Sequence, residues 1–359
     1  MDHQVIIVGS GPAGSACAKA LKEEDIDVLV IEQDTLPRNK ICSGVLFGQT
    51  QVLLEKYFGS LPPEHVYCDP KIINAADIRE WSPESGYTPY VWELDKDGQT
   101  FPTRYYNIWR KKFDHWLLKQ SQAAFLDQIV FKGCKQDDDA VTVRILNKNK
   151  TRIESKTKDG QRDKLTCSYL IGADGGTSMV RKIIQPDWTG QGQEVVIFQT
   201  YNHFTDKGKL EDGHWTVFFK PEIGEILCCV HPKDKFLTLC VGGVKGRNLL
   251  ESMAAFKQFL SDKFGVVFGE EERVEGCKMR MAPPNHGSGR VLLTGEAAGL
   301  IYLNGEGISV ALDAGYRCGK AVAGALRENK NAVELYREST GDIINHMNHC
   351  MENLHFLAQ

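Results

Sequence analysis

No apolar run in this chain is long enough to cross a bilayer, so a membrane-spanning helix is excluded on sequence grounds. Neither sign of charge dominates. The 43 Lys and Arg residues stand against 47 Asp and Glu, and nothing in that balance calls for nucleic acid as a partner. The eleven cysteines lack metal-ligand spacing and the density of a small secreted disulfide scaffold, so no metal is expected. Cys228 and Cys229 lie inside an apolar run and read as core thiols. No signal-peptide pattern precedes the first apolar run, and there is no internal repeat or low-complexity tract. A reduced, cytoplasmic enzyme is the expectation; peripheral membrane contact is compatible with it, and the oligomeric state is not indicated.

What the chain does have is three separated glycine-bearing segments. In the first, Gln4–Val8 is a short β-branched run that reads as a buried parallel strand. Gly9, Gly11 and Gly14 follow at Gly-x-Gly-x-x-Gly spacing, enclosing Pro12 and Ala13. Gly9 serves the tight turn, Gly11 the approach of backbone to a pyrophosphate, and Gly14 the close packing of helix on strand. Ala16, Ala18, Ala20 and Leu21 continue as a helix whose N-terminal amides favour a diphosphate. A second strand, 27–31, ends in Glu32, placed to accept hydrogen bonds from an adenosine ribose. This segment alone does not separate NAD from FAD.

The second segment, Gly172-Ala173-Asp174-Gly175-Gly176, closes another short strand, with Ser178 and Arg181 following. The third, Gly295-Glu296-Ala297-Ala298-Gly299, again follows a buried run, and Gly305-Glu306-Gly307-Ile308 opens a helix after it. With no second copy of the first fingerprint, this order describes one site for one long dinucleotide, non-covalent FAD. Amides at the Gly305–Ile308 helix start would stabilise negative charge at the flavin N1–C2=O edge.

The expected architecture is α/β: a Rossmann-like FAD-binding domain with an inserted, mainly antiparallel β-sheet domain. The FAD-binding part is discontinuous, at 1–70, 101–184 and 281–335. Residues 71–100 and 185–280 form the substrate and flavin-covering domain, and 336–359 a C-terminal helix. Apolar spacing predicts a helix over 108–122. Residues 147–164 read as an exposed β-connection, and His231–Asp234 as the link between two strands.

With these motifs read, most of the chain resembles the FAD-dependent superfamily of geranylgeranyl reductases and flavoprotein aromatic hydroxylases, with a p-hydroxybenzoate hydroxylase-like fold. Pro37-Arg38-Asn39-Lys40-Ile41-Cys42-Ser43-Gly44 is similar to the reductase branch's Pro-Arg-x-Lys-x-Cys-Gly-Gly loop, and Arg110–Asp114 to its Arg-x-x-Phe-Asp helix start. The resemblance implies that Asp174 lies near the pyrophosphate and Glu296 near the ribityl chain, where the usual residue is aspartate. It places Arg38 and Arg110 near the cofactor, able to neutralise diphosphate oxygens. Cys42, beside Gly44, is the candidate facing the flavin ring, its alternative being a small buried hydrophobe. The Tyr-x-Trp-x-Phe-Pro lipid-contact motif is absent; the nearest stretch is Glu225–Pro232, without its aromatics. The Lys and Trp-x-Trp-x-x-Pro signatures of flavin halogenases are not evident either.

The resemblance implies an FAD-dependent oxidoreductase that reduces or hydroxylates an apolar or aromatic organic substrate. Two alternatives stay open: a monooxygenase that oxidises a side chain of a partner protein, and a non-catalytic FAD-binding redox sensor. NAD(P)H, without a Rossmann domain of its own, would dock transiently as reductant. His231 is weighed as an acid–base group against a packed histidine, and His346, His349 and Cys350 are read as structural.

Overall fold

The computed structural model describes residues 1–74, 76–82, 86–91, 104–148, 163–302 and 306–354. In chain order the first half comprises β1 (His3–Val8), α1 (Pro12–Lys22), β2 (Val28–Ile31), β3 (Val45–Leu46), α2 (Gly48–Phe58), β4 (Tyr67–Asn74), β5 (Ala76–Ser82), β6 (Gly86–Val91), β7 (Arg104–Ile108), α3 (Arg110–Gln120), β8 (Ala124–Leu126), β9 (Ile129–Gln136), β10 (Val141–Asn147), β11 (Asp163–Gly172) and α4 (Met179–Ile184). The second half comprises β12 (Gln193–Asp206), β13 (Trp215–Lys220), β14 (Gly224–Lys233), β15 (Phe236–Val244), α5 (Leu249–Phe264), β16 (Val267–Met281), β17 (Gly287–Ser288), β18 (Val291–Leu293), α6 (Ile308–Glu328), α7 (Ala332–Ser339) and α8 (Gly341–Leu354).

The fold is α/β, and its nucleotide-type sheet runs β17-β18-β11-β1-β2-β8, with the β9–β10 hairpin joined to β11. Its central strands pair in parallel. Val5–Val8, Val28–Ile31 and Val291–Leu293 are buried on both faces, as β-branched and leucine runs must be when helices cover a parallel sheet. Helices α1 and α6 cross at small residues. A Cβ on Gly315 would come within 2.2 Å of the Ala13 carbonyl oxygen, and one on Gly319 within 2.6 Å of that of Cys17. Glycine at both positions therefore lets the two backbones touch.

The second sheet has the order β16-β12-β15-β14-β13-β5-β6 and is antiparallel except for the β13–β5 pair. Period-two alternation gives it two unlike faces. Phe218, Cys228, Val230, Leu239 and Val241 pack under α5 through Phe256, Leu260 and Phe264. The opposite face carries Val217, Cys229 and Cys240, with half-buried Ile197, Phe219 and Leu227 beside them. A small third sheet, β3-β7-β4, is interleaved in sequence with strands of the other two and abuts the second through Phe47 and Trp215.

Three boundaries differ from the sequence expectation. The helix predicted over 108–122 is α3, Arg110–Gln120, because Ile108 ends β7 and Trp109 is extended. The strand predicted to stop before His231 continues through Lys233, and the chain reverses at Asp234, whose φ is 51°. Alternation explains this: His231 and Lys233 both point inward and are buried, which a surface turn would not allow. The C-terminal segment is α7 followed by α8, interrupted at Thr340. Residues 149–162, most of the anticipated β-connection, lie outside the described residues, as does Trp92.

Candidate functional site

The three glycine segments meet at one edge. Val8 of β1 pairs with Gly172 of β11, and Gly172 pairs with Leu293 of β18. Three adjacent parallel strands thus end side by side, and each hands its chain to one of the segments. Such carboxyl ends are where open α/β sheets bind ligands.

The first three glycines have separate physical reasons. Gly9 has φ 105°, and a Cβ there would lie 2.4 Å from the Ala173 carbonyl oxygen. A Cβ on Gly14 would lie 2.0 Å from the Gly9 carbonyl oxygen. Both are required by the protein's own packing. At Gly11 the nearest atom is a flexible one, Arg38 Nη2 at 3.5 Å. Gly11 therefore keeps the crevice open and carries Arg38 over it. Gly11 also caps α1 without a side-chain hydrogen bond, so the first helical amides, from Ala13 onward since Pro12 has no N–H, have no side-chain cap.

Glu32 ends β2 nearly fully buried. Its Oε2 accepts from the Ser10 amide (3.2 Å), the Ser10 hydroxyl (2.8 Å) and Arg38 Nε (3.0 Å), while Oε1 accepts from the Asp34 amide (3.1 Å). Burial works against its charge, but Arg38 and Ser10 outweigh that and hold its carboxyl below the usual range. Oε1, with one donor, keeps acceptor capacity for a ligand hydroxyl. Arg38 also reaches Asp114 (3.4 Å), which receives both nitrogens of the Arg110 fork at 2.7 and 2.9 Å. Arg110 is raised in pKa: burial opposes its charge, while Asp114 and the Cys42 thiol favour it. Its guanidinium is thus committed to Asp114 and to the Cys42 loop.

In the second segment, the Asp174 backbone lies against Gly9, but its carboxylate caps α4. It accepts from the Ser178 hydroxyl (2.5 Å) and the Met179 and Val180 amides (2.7 and 3.2 Å). Burial raises its pKa in spite of these donors. Arg181, whose wider role the sequence reading missed, is buried and donates to the carbonyl oxygens of Gly176, Glu296 (3.1 Å) and Ala297 (2.7 Å) while stacking on Trp188. The third segment is held by these bonds. Its Glu296 carboxylate leans on the second segment: a Cβ on Gly176 would meet Glu296 Oε1 at 2.3 Å. Gly295 and Gly299 have φ 58° and 77°, so the turn around Ala297 needs glycine at both ends.

Gly305 lies outside the described residues. Glu306 is buried and accepts from Thr50 Oγ1 (2.6 Å) and from the Ser309 hydroxyl. Burial raises its pKa. Gly307 precedes Ile308, the first residue of α6, and provides no side-chain cap. Among the described residues, a Cβ on Gly307 would meet the Ile301 side chain at 3.7 Å.

The Cys42–Gly44 loop lies between this crevice and the second sheet. Gly44 has φ 72°; a Cβ there would meet the Ile108 carbonyl oxygen at 2.2 Å and Lys233 Nζ at 2.7 Å. Buried Lys233 donates to the Ile108 carbonyl at 2.7 Å, and desolvation lowers its pKa. His231 Nε2 lies 2.9 Å from the Ser43 carbonyl oxygen, and Gln199 Nε2 lies 3.4 Å from that of Cys42. Gln199 in turn donates to the Tyr201 hydroxyl, which donates to Glu275. Cys277, pushed up to about 11 by burial, also feels Lys40, Glu296 and Cys42. That proximity brings the open face of the second sheet opposite the third segment and the Cys42 loop. Lys233 and Gln199 escaped the sequence reading; the inward register of β14, alternate positions from Leu227, was the signal for Lys233.

Among the described residues no cluster of three or more His, Cys, Asp or Glu could hold a metal ion, and no helix is long and apolar enough to cross a membrane. His346 packs edge-on against Tyr302 at 4.6 Å, beyond the crevice.

A family model described as an FAD binding domain matches residues 93–340, and one described as an NAD(P)-binding Rossmann-like domain matches residues 7–38. An uncharacterized protein of Methanosarcina barkeri is 26% identical over 340 residues, covering 90% of this chain and 76% of its own length. A geranylgeranyl bacteriochlorophyll reductase-like protein from Thermoplasma acidophilum has a TM-score of 0.76 at 17% identity, over 99% of this chain and 88% of that one. The halogenase PltM, solved with phloroglucinol and FAD, gives 0.70 at 18% identity, over 94% and 73%. The fold is shared with these flavoproteins at identities too low to carry a substrate across.

Proposed function

The chain belongs to the FAD binding domain family, and on that premise we propose that it is an FAD-dependent oxidoreductase that reduces or hydroxylates an apolar or aromatic organic substrate. The observation that carries the reading is the convergence of three parallel strand ends on one crevice, faced by the open, largely apolar side of a second sheet.

The residues present fit such a cofactor. The uncapped helix start at Gly11, with Arg38 above it, suits the diphosphate, and the start of α6 at Gly307, where Glu306 takes the Ser309 amide, suits the charge of a reduced flavin. Glu32 offers Oε1 to a ribose hydroxyl. The flavin supplies the redox chemistry when bound. The protein's own part is to orient it, to exclude water with the second sheet and to hold the Cys42–Gly44 loop in place through His231, Gln199 and Lys233. The Rossmann-like match at residues 7–38 falls on the segment assigned to this cofactor. NAD(P)H as reductant would therefore dock transiently.

The test is direct. Purified protein should be yellow and release FAD on denaturation, and a reductant should be consumed faster when substrate is added. Colourless protein that takes up no added FAD would overturn the reading; oxygen consumed in step with hydroxylated product would select hydroxylation over reduction.

A further inference from the structure

Four buried polar atoms among the described residues have no protein partner and belong to one neighbourhood: Asn107 Oδ1, Trp215 Nε1, His231 Nδ1 and Thr238 Oγ1. The sheet register brings them together. Thr238 pairs with His231, and Thr216 pairs with Val230, which sets Trp215 beside His231 on the next strand. Side chains opposite one another on adjacent strands have Cβ atoms roughly 5 Å apart. Asn107 enters from β7, where its Nδ2 donates to the Pro232 carbonyl at 2.9 Å. Asn107, His231 and Thr238 are at most 1% exposed. Native proteins pair their buried polar groups, so four bare ones gathered here mark a place where a water or a ligand group bonds.

The chemistry of the four atoms is specific. The Ser43 carbonyl can only accept, so His231 Nε2 carries the hydrogen and Nδ1 offers a lone pair. Burial, with Lys233 nearby, pushes the His231 pKa down to about 3, and the ring is neutral. Asn107 Oδ1 is likewise an acceptor. Trp215 Nε1 can only donate, and the Thr238 hydroxyl does either. A carboxylate would meet two acceptors with no proton to give. An ammonium would leave Trp215 unsatisfied. A hydroxyl gives its one hydrogen to one acceptor and takes that of Trp215, which leaves the Thr238 hydroxyl to serve the second acceptor.

We propose that Asn107, Trp215, His231 and Thr238 form a pocket for a neutral hydroxyl group of an organic substrate. Its apolar body runs along the sheet over Val217, Cys229 and Cys240, and then over Ile197, Phe219 and Leu227. From His231 to Leu227 is four residues of strand, about 14 Å at roughly 3.4 Å each. This assignment rests on the proposed function, since it takes the open sheet face as the substrate side of the flavin.

The experiment titrates FAD-loaded protein with 4-propylphenol and with propylbenzene by calorimetry, in the native protein and in Trp215→Phe and Thr238→Val. The phenol should bind about ten-fold tighter than the hydrocarbon. Each variant should shrink that preference to about two-fold or less while holding propylbenzene as well as before. Equal affinity for the two probes in the native protein, a preference that survives both substitutions, or a crystal structure with a permanent water bonded to all four atoms would overturn the pocket. Protein that takes up no FAD would instead sink the functional reading, and the same titrations on that flavin-free protein would still decide the pocket by the same criteria.

Discussion

Arg181 donates to the Ala297 carbonyl oxygen at 2.7 Å, across 116 positions of sequence. One side chain at the second glycine segment thereby holds the backbone of the third. Its remaining bonds, to the Gly176 and Glu296 carbonyls, complete a three-point clasp.

Arg181→Lys should open that clasp. A lysine keeps the charge but cannot reproduce the planar fork. With buried carbonyls left short of donors, stability should fall by about 1–3 kcal/mol. Urea unfolding measures the loss, and retention of FAD through gel filtration should fall with it. An unchanged midpoint would show that the clasp is dispensable.

Gly11 and Gly14 should behave differently under the same substitution. Gly14→Ala forces a Cβ to within 2.0 Å of the Gly9 carbonyl, so it should destabilise the flavin-free protein by about 1–3 kcal/mol or more. Gly11→Ala meets only the movable Arg38 side chain. It should leave flavin-free stability nearly intact and weaken FAD binding. Thermal unfolding without FAD, set beside FAD titration, separates the two; equal loss of stability from both would contradict the division of roles.

Gly44→Ala should loosen the loop that carries Cys42. The left-handed backbone alone costs about 1–2 kcal/mol for a non-glycine residue. The added Cβ would also strike the Ile108 carbonyl and Lys233. Faster alkylation of Cys42, followed by mass spectrometry, is the expected readout. An alkylation rate equal to the native one would mean that the loop absorbs the change.

Glu306 gives a pH dependence of defined sign. Burial raises its folded pKa above the ordinary value. The native state therefore binds that proton more tightly than the unfolded chain does. The associated stability is fully present below the unfolded pKa of about 4.3 and is lost as pH rises through the folded value. Glu306→Gln carries no such proton. Its stability relative to the native protein should increase as pH rises above about 4.3 in parallel urea titrations. A flat difference would place the folded pKa at its unfolded value.

Local chemistry made much of this site legible in the sequence. β1 and α1 follow from a β-branched run and an alanine-rich helix, and Glu32 from its spacing behind Gly14. The two later segments are recognisable as strand-ending turns. The sequence could not show what each side chain bonds once the chain closes on itself. Asp174 is engaged in capping α4, and Arg110 in holding Asp114, because neighbours in space bind them first. The inward strand position of Lys233 was hidden by a proline and an aspartate that resemble a turn. Its contact with Ile108 depends on two sheets meeting, and no local pattern encodes that.

Because Gly315 and Gly319 seat α6 directly on the backbone of α1, the two helix starts that would flank a dinucleotide cannot slide relative to each other without a steric collision. In the proposed FAD site that seam would be a fixed ruler between the diphosphate end and the ring end. Adaptation to substrates of different size must then come from the Cys42–Gly44 loop and the open sheet face, the parts that do not set that length. Widening the seam with Gly315→Ala would recalibrate the ruler itself, and no adjustment of the substrate side could correct it.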